Sequence, residues 1–144
     1  MKNILVSIDF DDNEHILINK ALEFGKAFNA KIWILHIAAP EPEFVGYDVG
    51  PQYIRDVRAD ELRDEHKSLQ KFADDLIKKG LEAEGLLIQG ATTDMIIEEA
   101  NKLNTDLIIA GHNKRNFIYD IFVGSVSEDI INESNIPVLV VPLN

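Results

Sequence analysis

The stretch "NILVSI" (residues 3–8) is almost continuously apolar over the length of one β-strand. Similar runs, rich in Ile, Val and Leu, follow at "KIWILHI" (31–37), "GLLIQ" (85–89), "DLIIAG" (106–111) and "PVLVVP" (137–142). Side chains of a strand alternate between two faces, so a continuously apolar run predicts a strand that is covered on both faces. Strands of this kind are typical of parallel sheets.

The segments between these runs have the period of amphipathic helices, with apolar residues every three or four positions. The first of them begins after residues 11–12, and the second spans 58–79. The third begins near 92–93, and the last extends from 125 to about 134. Alternating strands and helices predict a doubly wound α/β fold. We therefore expect a single domain over residues 1–144, with a mostly parallel five-stranded sheet and helices on both faces.

Several local signals predict where these helices begin and end. Asp11 with Glu14 has capping-box spacing, and Thr92 or Thr93 is placed to cap the third helix. Gly80 is expected to end the second helix. Residues 39–53, dense in proline and glycine, predict a lid, a binding loop or a disordered segment.

Composition excludes some classes of partner and chemistry. The chain has 14 basic and 25 acidic residues, a formal charge of -11, which disfavours nucleic acid and anionic membrane surfaces. It contains no cysteine, which fits a reducing cytoplasm and excludes thiolate chemistry. The apolar run of "MKNILVSIDF" is too short for a signal sequence or a membrane span.

Polar residues at the ends of the strands are the candidates for function, because open α/β sheets bind ligands beyond the carboxyl ends of their strands. An acidic metal site of the response-regulator type would need an Asp after the central strand and a Lys after the last, and the sequence has neither. A lone histidine such as His36 is more often a satisfied core residue. The sequence contains no H-E-x-x-H, G-x-S-x-G or P-loop pattern, so no familiar catalytic constellation is present.

The stretch "AGHNKRNFIYDIFVGSVSEDI" (110–130) allows two interpretations. Gly111 follows a strand, and Gly124-Ser125 opens a helix whose free N–H groups favour an anion, so the two could cradle a phosphate. Ser125 with Glu128 is also a capping box, and in that interpretation the stretch is only a loop and a capped helix.

Gly124-Ser125 follows Gly111 by thirteen positions, and this spacing resembles the G-x-x-G-x(9)-G-[S/T] motif of the universal stress protein family. The resemblance extends along the whole chain, through "ILVSIDF", "LHI", "GATTDMIIEEA", "DLIIAG" and "PVLVVP". It implies a small cytoplasmic stress-response protein that binds ATP or another adenine nucleotide, with Mg²⁺ as a candidate companion ion.

The resemblance also implies which residues contact the nucleotide. Those at the tip of the first strand would contact adenine and ribose, and they are Ser7, Ile8 and Asp9. Ile37 would add an apolar contact after the second strand. The segment under the ribose and phosphates would comprise Ala110, Gly111, His112 and Asn113. The helix start that holds the phosphates would comprise Gly124, Ser125, Val126 and Ser127.

Lys114 replaces the second glycine of the motif. If that glycine has a positive φ, a lysine there is strained by about 1–2 kcal/mol. Its side chain would either obstruct the phosphate channel or donate a charge-assisted hydrogen bond to a phosphate.

Three functions follow as alternatives. The first is regulatory binding of an adenine nucleotide, and the second is a nucleotide-free stress protein that acts through protein contacts. The third is a slow ATP hydrolase or nucleotidyl transferase on the same fold. The resemblance also implies a homodimer through the last strand, residues 137–142, since an exposed apolar edge strand tends to be paired or covered.

Overall fold

The computed structural model describes residues 1–10, 13–38, 52–112 and 126–143. Its strands are β1 (Asn3–Ser7), β2 (Lys31–Ala38), β3 (Ala83–Gln89), β4 (Leu107–His112) and β5 (Val138–Pro142). Its helices are α1 (Glu14–Phe28), α2 (Gln52–Lys78), α3 (Thr92–Lys102) and α4 (Val126–Glu133). Each strand coincides with one of the predicted apolar runs, with shifts of up to two residues at the boundaries.

The five strands form one sheet in the order β3-β2-β1-β4-β5, and all neighbouring pairs are parallel. β1 is central, with Ile4 paired to Ile32 of β2 on one side and to Leu107 of β4 on the other. The chain thus builds outward from β1 through β2 to β3, then returns across β1 to β4 and β5. This order confirms the predicted doubly wound sheet.

Helices cover both faces of the sheet, which explains the continuously apolar strands. Alternate residues of β1, such as Ile4 and Val6, pack under α1 and α2. The intervening residue Leu5 packs on the opposite face, in a cluster that includes Ile96 of α3 and Ile130 of α4. Burial of one such side chain stabilises the folded state by about 1.5–3 kcal/mol. A shift of the register by one residue would move each side chain to the other face of the sheet, so both core layers favour the same strand register.

The second helix begins earlier than its sequence pattern predicted. α2 starts at Gln52, so residues 52–53, expected to belong to the loop 39–53, are helical. The remainder of that loop lies outside the described residues. A helix of 27 residues extends over about 40 Å, longer than the strands it covers, so its first turns project past the carboxyl edge of the sheet. Residues 52–53 were assigned to the loop because they directly follow its prolines and glycines.

Two of the predicted caps are wrong. The residue preceding α1 is Asn13, so Glu14 is the first helical residue rather than the third that a capping box with Asp11 requires. The residue preceding α3 is Ala91, which places Thr92 and Thr93 inside the helix. Asp11 itself, and Ser125 before α4, lie outside the described residues.

The predicted end of the second helix is confirmed. Gly80 has φ +95°, a conformation that glycine adopts without steric cost. The N–H of Gly80 donates to the carbonyl of Ile77 at 3.0 Å, and the N–H of Leu81 donates to that of Leu76 at 3.2 Å. These bonds satisfy carbonyls of the last turn and direct the chain into β3.

Candidate functional site

The candidate site lies where the strand order reverses, between the carboxyl ends of β1 and β4. The connections after these two strands lead to helices on opposite faces, α1 on one and α4 on the other. The crevice that this divergence leaves is the usual ligand position in open α/β sheets.

A cleft of about 370 Å³, open to solvent, occupies this position. Residues of β1 and the chain after it, of α1, β4 and α4, and of the chain after β5 line it, namely Ser7, Asp9, Leu17, Ala110, Gly111, Ser127 and Leu143. Ser127 is in the first turn of α4 and only 3% exposed. The fold therefore brings residues from both ends of the sequence into one cleft.

Other predicted site residues occupy different positions. The side chains of Ile8 and Ile37 are buried in the two core clusters, so neither side chain faces the cleft. His112 is half-buried at the end of β4, and its carbonyl accepts the N–H of Leu143 at 2.9 Å. Val126 begins α4. The predicted residues Asn113, Lys114, Gly124 and Ser125 lie outside the described residues.

Two cleft residues were missed in the sequence. Leu17 was assigned only to the apolar face of the first helix, and it lines the cleft from α1. Leu143 follows the last strand, where no motif singled it out. Its only sequence signal is an apolar residue directly after "PVLVVP".

The side chain of Leu143 packs closely against Gly111. A Cβ at Gly111 would lie 2.7 Å from Cδ1 of Leu143, closer than carbon atoms approach in folded proteins. A side chain of the protein itself therefore makes the close approach to this glycine that the sequence analysis expected of a ligand. A ligand that reaches Gly111 from this side shares the space with Leu143.

The tip of β1 is held by a histidine of β2. Nδ1 of His36 lies 2.8 Å from the carbonyl oxygen of Ile8 and 3.9 Å from Oδ1 of Asp9. The His36 side chain is 12% exposed, whereas that of Asp9 is 74% exposed. His36 is thus a hydrogen-bonded, mostly buried residue, as interpreted from the sequence, and Asp9 presents its carboxylate at the mouth of the cleft.

Within the described ranges, no group of three or more His, Cys, Asp or Glu side chains is arranged to hold a metal ion. None of the helices in the described part of the chain combines the length and the apolarity needed to cross a membrane.

A wider depression of about 1230 Å³ lies at the opposite end of the sheet, between Asn29, Lys31 and Gly80 among others. It is shallow, and it lies at the amino ends of the strands, where Lys2 and Asn3 already donate hydrogen bonds to Asp106. We place the candidate site in the smaller cleft because topology, rather than size, determines where a parallel sheet binds ligands.

Three solved structures share this fold along nearly the whole chain. A universal stress protein in complex with cAMP has a TM-score of 0.72 at 22% identity, over 99% of this chain and 98% of its own. The Archaeoglobus fulgidus protein in complex with dAMP has 0.62 at 21%, over 97% of each chain. The Arabidopsis thaliana protein with AMP bound has 0.65 at 18%, over 100% of this chain and 93% of its own.

Sequence relatives agree with the fold. Universal stress protein MJ0531 of Methanocaldococcus jannaschii is 27% identical over 142 residues, 97% of this chain and 81% of the relative. Universal stress protein YxiE of Bacillus subtilis is 27% identical over 143 residues, 96% of this chain and 97% of the relative. The model of the universal stress protein family matches residues 1–142. The chain therefore belongs to the universal stress protein family.

Proposed function

We propose that this protein binds an adenine nucleotide in the cleft between β1 and β4 and acts as a nucleotide-responsive regulator in the cytoplasm. The observation that carries the proposal is the convergence of Asp9, Gly111 and Ser127 from three separate elements on one cleft at the switch point of the sheet. The cAMP, dAMP and AMP complexes of proteins with the same fold support the adenine nucleotide as ligand class.

Each part of the cleft suits a different part of the nucleotide. The exposed carboxylate of Asp9 accepts hydrogen bonds from the ribose hydroxyls or the adenine amino group. The apolar side chain of Leu17 provides a surface for the base or sugar. The first turn of α4, with Ser127, offers N–H groups and the positive end of the helix dipole to the phosphates.

We propose ATP as the physiological nucleotide, with Mg²⁺ neutralising its phosphates. The support comes from Lys114 and Arg115, adjacent cations in an otherwise strongly acidic chain, which belong to the connection between β4 and α4. Two cations in the connection that leads to α4 match a triphosphate better than a monophosphate. A ligand used as a signal needs no catalytic base, and we therefore expect at most slow hydrolysis.

Mass analysis of small molecules released by denaturing the purified protein tests the proposal directly. We expect an adenine nucleotide in the supernatant, and calorimetric titration of nucleotide-free protein should show heat with ATP and with AMP. Adenosine and guanosine triphosphate serve as controls for the phosphate and base contacts. Absence of nucleotide after denaturation, together with no heat from ATP or AMP at millimolar concentration, would exclude the proposed function.

One observation favours the nucleotide-free alternative, namely that Leu143 occupies the free side of Gly111. If this side chain closes the cleft, the wild type should not bind nucleotide and the truncation Leu143→Ala should create binding. If Leu143 is only one wall of a working site, Leu143→Ala should weaken binding of AMP by a small factor. The two outcomes have opposite signs, so one titration of this variant separates them.

We further propose a homodimer through β5, which forms one edge of the sheet. Val138, Leu139 and Val140 are only half-buried there although all three are apolar, and Pro137 and Pro142 flank the segment. Light scattering at micromolar concentration should give the mass of a dimer, and Val140→Glu should shift it toward a monomer. Val57→Glu, at an exposed apolar residue of α2, is the matched control that should leave the mass unchanged. A monomeric wild type would contradict this proposal.

A further inference from the structure

The β1 strand continues for one residue past its last regular position because β2 holds it with one backbone and one side-chain bond. The N–H of Ile8 donates to the carbonyl of Leu35 at 2.9 Å. The carbonyl of Ile8 lies 2.8 Å from Nδ1 of His36. A carbonyl oxygen can only accept, so Nδ1 carries the hydrogen, and this contact determines the tautomer of the imidazole.

The imidazole has close neighbours on its other sides. Nε2 lies 3.7 Å from Oε2 of Glu65, a residue of α2, so the Glu65 side chain limits the space around the ring without a hydrogen bond to it. The ring of Phe10 packs edge-on against the imidazole, with centroids 4.7 Å apart and an interplanar angle of 61°. A ring confined by a strand tip, a helix and an aromatic neighbour has little rotational freedom, so its Nδ1–H is a rigid donor.

We propose that His36 is a positioning residue for the nucleotide site: it locks the carbonyl of Ile8 and thereby sets the direction of the adjacent Asp9 carboxylate. This inference rests on the proposed function, and it adds a residue that does not line the cleft. Nδ1 of His36 and Oδ1 of Asp9 are 3.9 Å apart, so the imidazole and the carboxylate are close neighbours at the strand tip. A preorganised acceptor binds its ligand more tightly because less conformational entropy is lost on binding.

The protein contains an internal control for this idea. At the other end of the same two strands, Nε1 of Trp33 in β2 donates to Oδ1 of Asn3 in β1 at 3.2 Å. Both bonds connect a ring nitrogen of β2 to β1, but only the one from His36 is next to Asp9. If these bonds contributed only to stability, removing either of them would have similar consequences for the ligand.

Two polar variants of His36 separate positioning from packing. The amide nitrogen of Asn reproduces the place of Nδ1, whereas that of Gln reproduces the place of Nε2 and cannot reach the Ile8 carbonyl in the same way. Calorimetric titration with AMP should give His36→Asn an affinity within about threefold of the wild type. His36→Gln should bind about tenfold more weakly, and Trp33→Phe should bind like the wild type.

Amide hydrogen exchange gives a readout that needs no ligand. Exchange of the Asp9 and Phe10 amides should be about tenfold faster in His36→Gln than in the wild type and unchanged in His36→Asn. Equal exchange in both variants, or equal AMP affinity in both, would overturn the positioning role. If the wild type binds no AMP, the proposed function fails, while the exchange experiment still decides whether His36 orders the strand tip.

Discussion

At its amino end β1 is joined to β4 by Asp106, whereas at its carboxyl end it is joined to β2 by His36. Oδ2 of Asp106 accepts the N–H groups of Lys2 at 2.7 Å and Asn3 at 3.0 Å, and Trp33 adds its bond to the Asn3 side chain. At the carboxyl end the acid is Asp9, whose carboxylate is 74% exposed beside the cleft.

The difference shows that the two ends of a parallel sheet have different roles. The strand ends leave backbone groups that the ladder does not satisfy, and these groups need side chains, water or ligands. At the amino end, side chains of neighbouring strands fulfil that need and contribute stability. At the carboxyl end, one histidine orders the strand and the acid beside it remains oriented toward the cleft.

Trp33→Ala should have the largest effect, and it should be confined to stability. The indole packs on the core cluster of α3 and α4, with Nζ of Lys31 3.8 Å above its ring. Truncation of a half-buried Trp should lower the free energy of unfolding by about 3 kcal/mol. Urea denaturation measures this loss, and AMP affinity of the folded fraction should stay within about threefold. A large loss of AMP affinity would show that the amino end of the sheet also affects the nucleotide site.

Asp9→Ala should weaken nucleotide binding and have little effect on stability, the opposite of what we expect for Trp33→Ala. Losing a hydrogen bond that involves a charge should weaken nucleotide binding by about 1.5–3 kcal/mol, or one to two powers of ten. Because the side chain is exposed, the free energy of unfolding should change by less than about 0.5 kcal/mol. Asp9→Asn, which keeps one acceptor oxygen, should show an intermediate affinity. If Asp9→Ala unfolds the protein and leaves affinity intact, Asp9 is structural.

Lys114→Ala should weaken ATP binding about three- to fivefold and leave adenosine binding unchanged, since only the phosphates lose a cation. The effect should shrink as salt is raised, because an exposed ion contact is screened within about 8–10 Å. Titrations of ATP and adenosine at two salt concentrations measure it. Stronger ATP binding in Lys114→Gly would instead show that the lysine obstructs the channel.

Asp106→Asn should have the smallest effect. The backbone N–H groups of Lys2 and Asn3 hold the pKa of Asp106 below its ordinary value of 3.8, so folding favours the carboxylate. Its stabilisation is complete above that value and is lost as pH falls through the lower folded pKa. The variant should lose less than about 1 kcal/mol at pH 7, since water screens this exposed group. The difference in thermal unfolding temperature from the wild type should shrink as the pH falls below 3.8.

Secondary structure and topology were largely predictable from local patterns. The apolar run 3–8 and its four counterparts read as buried strands because both faces of each strand are covered, and the helices between them have a clear period. The caps at Asp11 and Thr92 or Thr93 were wrong because helix starts depend on a few backbone dihedrals that residue type only biases. The start of α2 was missed because residues 52–53 directly follow the proline- and glycine-rich stretch and were assigned to the loop.

The candidate site was only partly predictable for a related reason. The strand ends and the resemblance to the family identified Ser7, Asp9, Ala110, Gly111 and Ser127, which line the cleft together in the structure. Leu143 and Leu17 were missed because an apolar residue on a strand end or helix face carries no mark of its function. The contact between His36 and Glu65 crosses from β2 to α2, and no local pattern encodes it.

By itself, the sequence determined the family, the order of strands and helices, and the acids and glycines available to a ligand, because these follow from residue type and short-range spacing. Only the tertiary structure decided which side of Gly111 is filled by Leu143, and that His36 rather than a further backbone N–H holds the end of β1. Such contacts depend on where distant segments meet when the core packs, and close packing permits one arrangement among many that the local patterns allow.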